Sequence, residues 1–175
     1  FGGFNQINFK KGRQYVVERI KIDYDRLNLL NSHLLLFYSG LDTFELVTSE
    51  QGDLQNTYET EKLKFTEKIM DRALNTLQNK NTDIKEFGFL LNENWNYICS
   101  ISPEIKRSIS NHYFDRAYRN GALGGKILGG REASFILFFA PEICHSVIIK
   151  ELPELVHIPF QFETNGSHII EVKNR

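Results

Sequence analysis

Residues 120–141 read Asn-Gly-Ala-Leu-Gly-Gly-Lys-Ile-Leu-Gly-Gly-Arg-Glu-Ala-Ser-Phe-Ile-Leu-Phe-Phe-Ala-Pro, and no other stretch limits the fold as strongly. Gly121, Gly124, Gly125, Gly129 and Gly130 fall within ten residues and lead into an apolar run stopped by Pro141. Glycine at this density lets the backbone take positive φ, or lie against another segment or a ligand. If the stretch is a loop, Lys126 and Arg131 bring donors and positive charge to an anion. If it is a glycine-kinked hairpin, its second strand, residues 134–139, belongs to the core. The hairpin needs no ligand and is the preferred reading of these residues, since glycine-rich turns without one are common.

What precedes the glycines divides into strands and then helices. Residues 4–9 and 14–22 read as two strands around the polar turn Lys10-Lys11-Gly12-Arg13. Asp23 or Asp25 can cap a short helix carrying Leu27, Leu29 and Leu30. Residues 33–38 form a compact apolar run, stopped by Ser39-Gly40, that fits a strand buried on both faces. A helix is expected over residues 41–51. In residues 56–80, Tyr58, Phe65, Ile69, Ala73 and Leu77 share one helical stripe, with Leu63, Met70 and Leu74 beside it. The charged residues opposite read as a solvated face. A second long helix restarts at Asp83, spaced from Glu86 as a capping box, and places Ile84, Phe87, Leu91, Trp95 and Ile98 at helical steps. Met70 and Trp95 therefore read as packing.

Ser102-Pro103-Glu104 starts a further short helix. Another, residues 112–120, turns Phe114, Ala117 and Tyr118 inward and delivers the chain to the glycines. After them, Pro141 opens a last helix holding Ile143, Val147 and Ile148, and residues 155–162 and 167–172 read as strands around Thr164-Asn-Gly166. The 175 residues suit one domain. The order of elements predicts an α+β fold with helices packed on an antiparallel sheet.

Composition narrows the chemistry more than it names it. A net charge of −1 steers neither nucleic acid nor an anionic membrane surface toward the chain, so neither is expected as a partner. Cys99 and Cys144 lack metal-site spacing and disulfide density, which suits a reducing, cytoplasmic setting. The apolar runs are too short to span a bilayer. Five histidines, at 33, 112, 145, 157 and 168, have no His or Cys partner at ligand spacing, so no metal site is expected. Asp71, Glu86 and Glu93 lie on helices and read as solvated; no catalytic pair stands out.

Several segments nevertheless resemble, in register, the C-terminal half of GHMP-family small-molecule kinases, in particular the heptose 7-phosphate kinase branch. They are residues 1–9 (Phe-Gly-Gly-Phe-Asn-Gln-Ile-Asn-Phe), 34–40 (Leu-Leu-Leu-Phe-Tyr-Ser-Gly) and 87–95 (Phe-Gly-Phe-Leu-Leu-Asn-Glu-Asn-Trp), then 109–111, 121–129, 135–141 and 160–166. The resemblance implies a ferredoxin-like sheet packed with helices, with residues 23–175 forming the C-terminal-like domain. It implies that residues 1–22 are strands from the end of the N-terminal domain. It implies transfer of the γ-phosphoryl group of ATP, with Mg2+, to a hydroxyl of a small sugar phosphate. It places Gly124, Gly125, Lys126, Gly129 and Gly130 in the motif that packs near the nucleotide phosphates, with Arg131 as a candidate anion contact. The family's phosphate loop and catalytic Asp lie in its N-terminal part and have no counterpart here, so no catalytic residue is assigned. The chain opens on Phe1, just past the place of that Asp, and reads as a fragment whose partner is the missing N-terminal portion, in the same or another chain. The strand edge of residues 1–9 also offers a route to homo-oligomers.

The departures have a direction. Where the family continues with glycines, this chain has Arg131, Glu132, Ala133 and Ser134; where it has basic residues, this chain has Thr43, Ile98 and Cys99. Neutral side chains cannot make the charge-assisted bonds on which phosphate recognition rests. The alternative to a kinase portion is therefore a catalytically inactive, kinase-like domain acting in binding or assembly.

Overall fold

The computed structural model of the chain describes residues 1–10, 12, 14–40, 56–101, 109–130 and 133–167. Strands β1 (Asn5–Phe9) and β2 (Tyr15–Arg19) form an antiparallel hairpin with Phe9 opposite Tyr15. Helix α1 (Tyr24–Asn31) follows, capped by the Asp23 carboxylate, which accepts from the Asp25 N–H at 3.1 Å. After strand β3 (Leu34–Tyr38) the described residues form helices α2 (Asn56–Gln78), α3 (Lys85–Ile101) and α4 (Ile109–Arg119). Strands β4 (Gly124–Gly130) and β5 (Ala133–Phe139), a 3-10 turn (Glu142–Cys144), α5 (His145–Glu151) and β6 (Val156–Ile158) complete the order. The expected helices over 41–51 and from Ser102, and most of the strand over 167–172, lie outside the described residues.

The last four strands make one antiparallel sheet in the order β4-β5-β3-β6, the ferredoxin-like arrangement of a β-α-β-β-α-β chain. β3 is central because its run of apolar residues can be covered on both faces: Leu34 and Leu35 are buried, and Phe37 is wholly so. Trp95 of α3 stacks on Phe114 of α4 (centroids 4.0 Å, 10°), and Phe114 meets Phe138 of β5 edge-on at 5.2 Å. A second cluster joins Leu30, Leu34, Leu77, Ile84 and Phe139, with Phe4, Ile22, Phe160 and Phe162 against it. Through it the β1–β2 hairpin is tied to the end of the chain. The Gly3 N–H donates to the Glu163 carbonyl at 3.0 Å, and Phe4 meets Phe162 edge-on.

Some expectations fail for tertiary reasons. Leu63 and Met70 are 70% and 48% exposed, so the packed stripe of α2 is narrower than the apolar pattern and Met70 is not core. Glu86 does not complete a capping box. Asp83 does cap α3, accepting from the Lys85 N–H at 2.9 Å, but the Glu86 carboxylate reaches Arg72 of α2 instead. Glu93 binds the same guanidinium at 2.6 Å, so neither glutamate is simply solvated. Ile143 is 87% exposed and Val147 46%, because the chain after Pro141 first turns as a 3-10 segment; of the three expected residues Ile148 is the buried one. The strand over 155–162 shrinks to β6, since Pro159 has no N–H for the ladder.

Candidate functional site

The glycine stretch is a strand, and helix packing explains part of its composition. Gly121, at φ 97°, turns the chain out of α4; a Cβ there would lie 2.6 Å from the Cys144 Sγ. From Gly124 to Gly130 the chain pairs with β5, with Gly124 opposite Phe139 and Gly130 opposite Ala133. A Cβ on Gly124 would stand 1.9 Å from the Gly88 carbonyl oxygen and 2.8 Å from the Asn92 nitrogen, both on α3. A Cβ on Gly125 would meet the Phe138 ring at 2.8 Å and the Leu137 oxygen at 2.9 Å. These two glycines therefore let α3 and the β5 side chains close onto β4.

Lys126 stands on β4, not in a loop, and is exposed. Gly129 and Gly130 occupy the end of the strand, and Arg131 lies outside the described residues. The structure thus keeps the five site positions on one strand. On α3, Cys99 is buried and Ile98 packs against the main core cluster. Both positions where the resemblance expects positive charge are used for packing. Thr43 lies outside the described residues.

The described residues do not by themselves compose a site for ATP and Mg2+. No group of three His, Cys, Asp or Glu side chains among them could hold a metal ion. The backbone of Gly124 and Gly125 is occupied by the chain's own helix and strand.

The features that the residue pattern did not reveal are between helices. Arg72 forks to Glu86 (2.8 Å) and Glu93 (2.6 Å), which raise its pKa, and so clips α2 to α3. Phe65 and Tyr97 stack at 3.9 Å on the same helix pair. Glu86 and Glu93 are two turns apart on one face of α3, the one signal that could have announced a shared partner. Arg26 is buried on α1 and donates from Nε and Nη2 to the Thr76 carbonyl near the end of α2, the Nε bond being 3.0 Å. A shallow groove of about 600 Å³ runs along this helix pair past Asn75, Thr82 and Phe89. It is remote from the glycine strand in sequence and carries charges of both signs.

No protein-family model and no curated protein matches the chain. Solved structures do. A D-glycero-D-manno-heptose 1-phosphate kinase from Bacteriodes thetaiotaomicron is 20% identical, with a TM-score of 0.59 over 99% of this chain and 47% of that one. A protein described as a sugar kinase from Campylobacter jejuni is 18% identical, with a TM-score of 0.52 over 95% of this chain and 47% of its own. The mevalonate kinase of L. major, solved with R-mevalonate, is 20% identical, with a TM-score of 0.60 over 93% of this chain and 50% of its own. The chain spans about half the length of each. The overlay on about half of each structure agrees with the resemblance carried by the sequence motifs. The chain has the α+β fold of the C-terminal part of GHMP-type small-molecule kinases.

Proposed function

We propose that the chain is the C-terminal portion of an ATP-dependent sugar kinase of the heptose 7-phosphate type. In this reading an N-terminal portion, in the same or a separate chain, brings the nucleotide loop and the catalytic base. Phosphoryl transfer rests on positioning and electrostatic stabilisation, so this half alone gives negligible turnover. ATP with Mg2+, a small sugar phosphate and a cytoplasmic setting belong to the same proposal. The observation that carries it is the coincidence of two independent facts. Motifs run in register along the chain, and its fold overlays about half of each of the three kinase structures.

The β1–β2 hairpin supports the division at residue 22. A two-stranded hairpin is marginally stable alone in water. This one exposes Phe9 (83%), Tyr15 (56%) and Ile7 (42%), which suits strands completed by a further sheet. Under this proposal residues 1–22 belong to the sheet of the N-terminal domain. In the same reading Gly124, Gly125, Lys126, Gly129 and Gly130 form the motif strand that lies near the nucleotide phosphates, and Arg131 is a candidate anion contact.

A second reading, an inactive kinase-like domain used in binding or assembly, is favoured by Ile98 and Cys99. Cys99 is buried and Ile98 packs against the core, so no cation stands where the resemblance expects two. The experiment is reconstitution of the chain with an N-terminal kinase portion, followed by ATP consumption in the presence of heptose 7-phosphate. Turnover by the pair and none by the 175-residue chain alone is the expected result. A stable pair that consumes no ATP with any sugar phosphate would leave the second reading in place.

A further inference from the structure

The hairpin at the start of the chain leaves one edge open. β1 and β2 pair without a break from Asn5 opposite Arg19 to Phe9 opposite Tyr15. At the two ends of this ladder the Ile20 N–H donates to the Phe4 carbonyl at 2.9 Å, and the Lys10 N–H to the Gln14 carbonyl at 2.8 Å. Antiparallel pairs alternate between exchanging both hydrogen bonds and exchanging none. The even-numbered residues are therefore the bonded ones, and Tyr15, Val17 and Arg19 turn their N–H and C=O groups to the outer edge of β2. Among the described residues no strand pairs with that edge, and no backbone hydrogen bond from a turn or loop reaches it. The outer edge of β1 differs, because the Gly3 N–H is already bonded to the Glu163 carbonyl at 3.0 Å.

Soluble proteins blunt open edges with Lys, Pro or a bulge. β2, Tyr15-Val-Val-Glu-Arg19, has none of these, and Tyr15 and Val16 are exposed on its opposite faces. Its sequence is also complementary to itself. Laid antiparallel to a copy about Val17, it sets Val17 against Val17 and Tyr15 against Arg19, and every outward N–H meets an outward C=O. On the face shared with Ile7 and Phe9, the row from Ile7 to Val17 continues into the copy as Val17 to Ile7, an aliphatic strip across the joined sheet. On each side of that strip a Tyr15 ring meets an Arg19 guanidinium, a cation–π pair. Centring the contact on Glu18 instead would put like charges directly opposite one another, which is destabilising. Centring it on Val16 would take Arg19 off Tyr15.

We propose that the outer edge of β2 is a self-association site, where a second copy of this chain adds its own β2 antiparallel about Val17 and joins the two hairpins into one sheet. The occupant follows from the strand itself: the same residues supply both halves of the aliphatic row and both halves of each Tyr–Arg pair, as a two-fold contact requires. The inference does not rest on the kinase proposal, because a further sheet can still meet the hairpin along β1 beyond Gly3.

The test is sedimentation of the full chain from about 10 µM to about 1 mM, with amide hydrogen exchange followed over the same range. A contact between two short strands is small, so a dimer with a Kd on the order of 0.1 mM is expected, with the Tyr15, Val17 and Arg19 amides slowing as it forms. Val17→Pro removes an outward N–H and spares the hairpin ladder. It is expected to weaken the dimer about tenfold while the Gln6 and Glu18 amides stay protected. Tyr15→Lys sets like charges across the contact and is expected to weaken it as much. Adding Arg19→Glu to Tyr15→Lys should restore the dimer, since opposite charges then face each other, and this swap decides the matter if proline loosens the hairpin. A chain that stays monomeric to about 1 mM overturns the proposal. Freely exchanging edge amides in that monomer leave β2 to a strand of another protein, and protected ones mean that this chain covers it. A dimer indifferent to Val17→Pro in an intact hairpin, or one that the charge swap does not restore, overturns it as well.

Discussion

Gly88 and Gly124 face one another across the contact of α3 with β4, with no room for a side chain on either. A Cβ at 124 would come within 1.9 Å of the Gly88 oxygen, and one at 88 within 2.5 Å of the Phe139 ring and 2.9 Å of the Leu123 Cβ. Backbone cannot step aside as the end of a flexible side chain can. Gly124→Ala is therefore expected to destabilise the fold by about 3 kcal/mol, the upper end for overpacking. Urea unfolding measures it. Wild-type stability for Gly124→Ala would mean that α3 does not sit on β4 as described.

The pair at the head of α5 and on β6 sets a pH dependence. Burial first, and then the neighbouring His145, hold His157 below the usual imidazole value. The unfolded chain, with a histidine near pH 6.5, therefore binds more protons as the pH falls. The stabilising contribution is complete above about pH 6.5, is lost as the pH drops through the window below it, and levels off beneath the folded pKa. Urea midpoints between neutral and mildly acidic pH should fall for the wild type and fall less for His157→Gln. Parallel curves for the two proteins would count against the burial of this ring.

Arg72 holds two glutamates, yet all three side chains are between 37% and 39% exposed. Solvent screening keeps each pair near 0.5 kcal/mol, so Arg72→Ala should cost about 1 kcal/mol. Double-mutant cycles with Glu86→Gln and Glu93→Gln should show couplings of that size, shrinking as salt is added. A coupling above about 2 kcal/mol would show the network to be desolvated.

Trp95 and Met70 separate core from surface among residues that look alike in the helical pattern. Trp95 is 4% exposed and stacked on Phe114, whereas Met70 is 48% exposed. Trp95→Ala should cost about 4 kcal/mol and Met70→Ala less than about 0.5 kcal/mol. Thermal or urea unfolding decides both, and similar losses would contradict the assigned packing.

What was legible in the residues is what local physics decides. The Asp23 cap, the burial of Leu34, Leu35 and Phe37 and the inward face of α3 depend on neighbours in sequence, and each is present. The same pattern misjudged Leu63 and Met70, because how wide a stripe is covered depends on the helices around α2. It also misassigned Glu86, where a partner on another helix outcompeted the local cap. The glycines were visible from the start, but a dense run of them reads alike whether a ligand or a helix lies above it. The placement of Gly88 distinguishes the two for Gly124, and that of Phe138 and Phe114 does so for Gly125. For Arg131 and Thr43 the question passes to the reconstitution experiment.

The position of β3 has a consequence for synthesis. Residues 34–38 pair on one side with residues 135–139 and on the other with residues 156–158. Emerging from a ribosome, this strand of Leu, Leu, Leu, Phe and Tyr has neither neighbour until most of the remaining chain has followed. Such long-range pairing slows folding and leaves an adhesive segment open in the meantime. Chains stopped before residue 133 should be caught by chaperones or aggregate, and those that reach residue 158 can close the sheet.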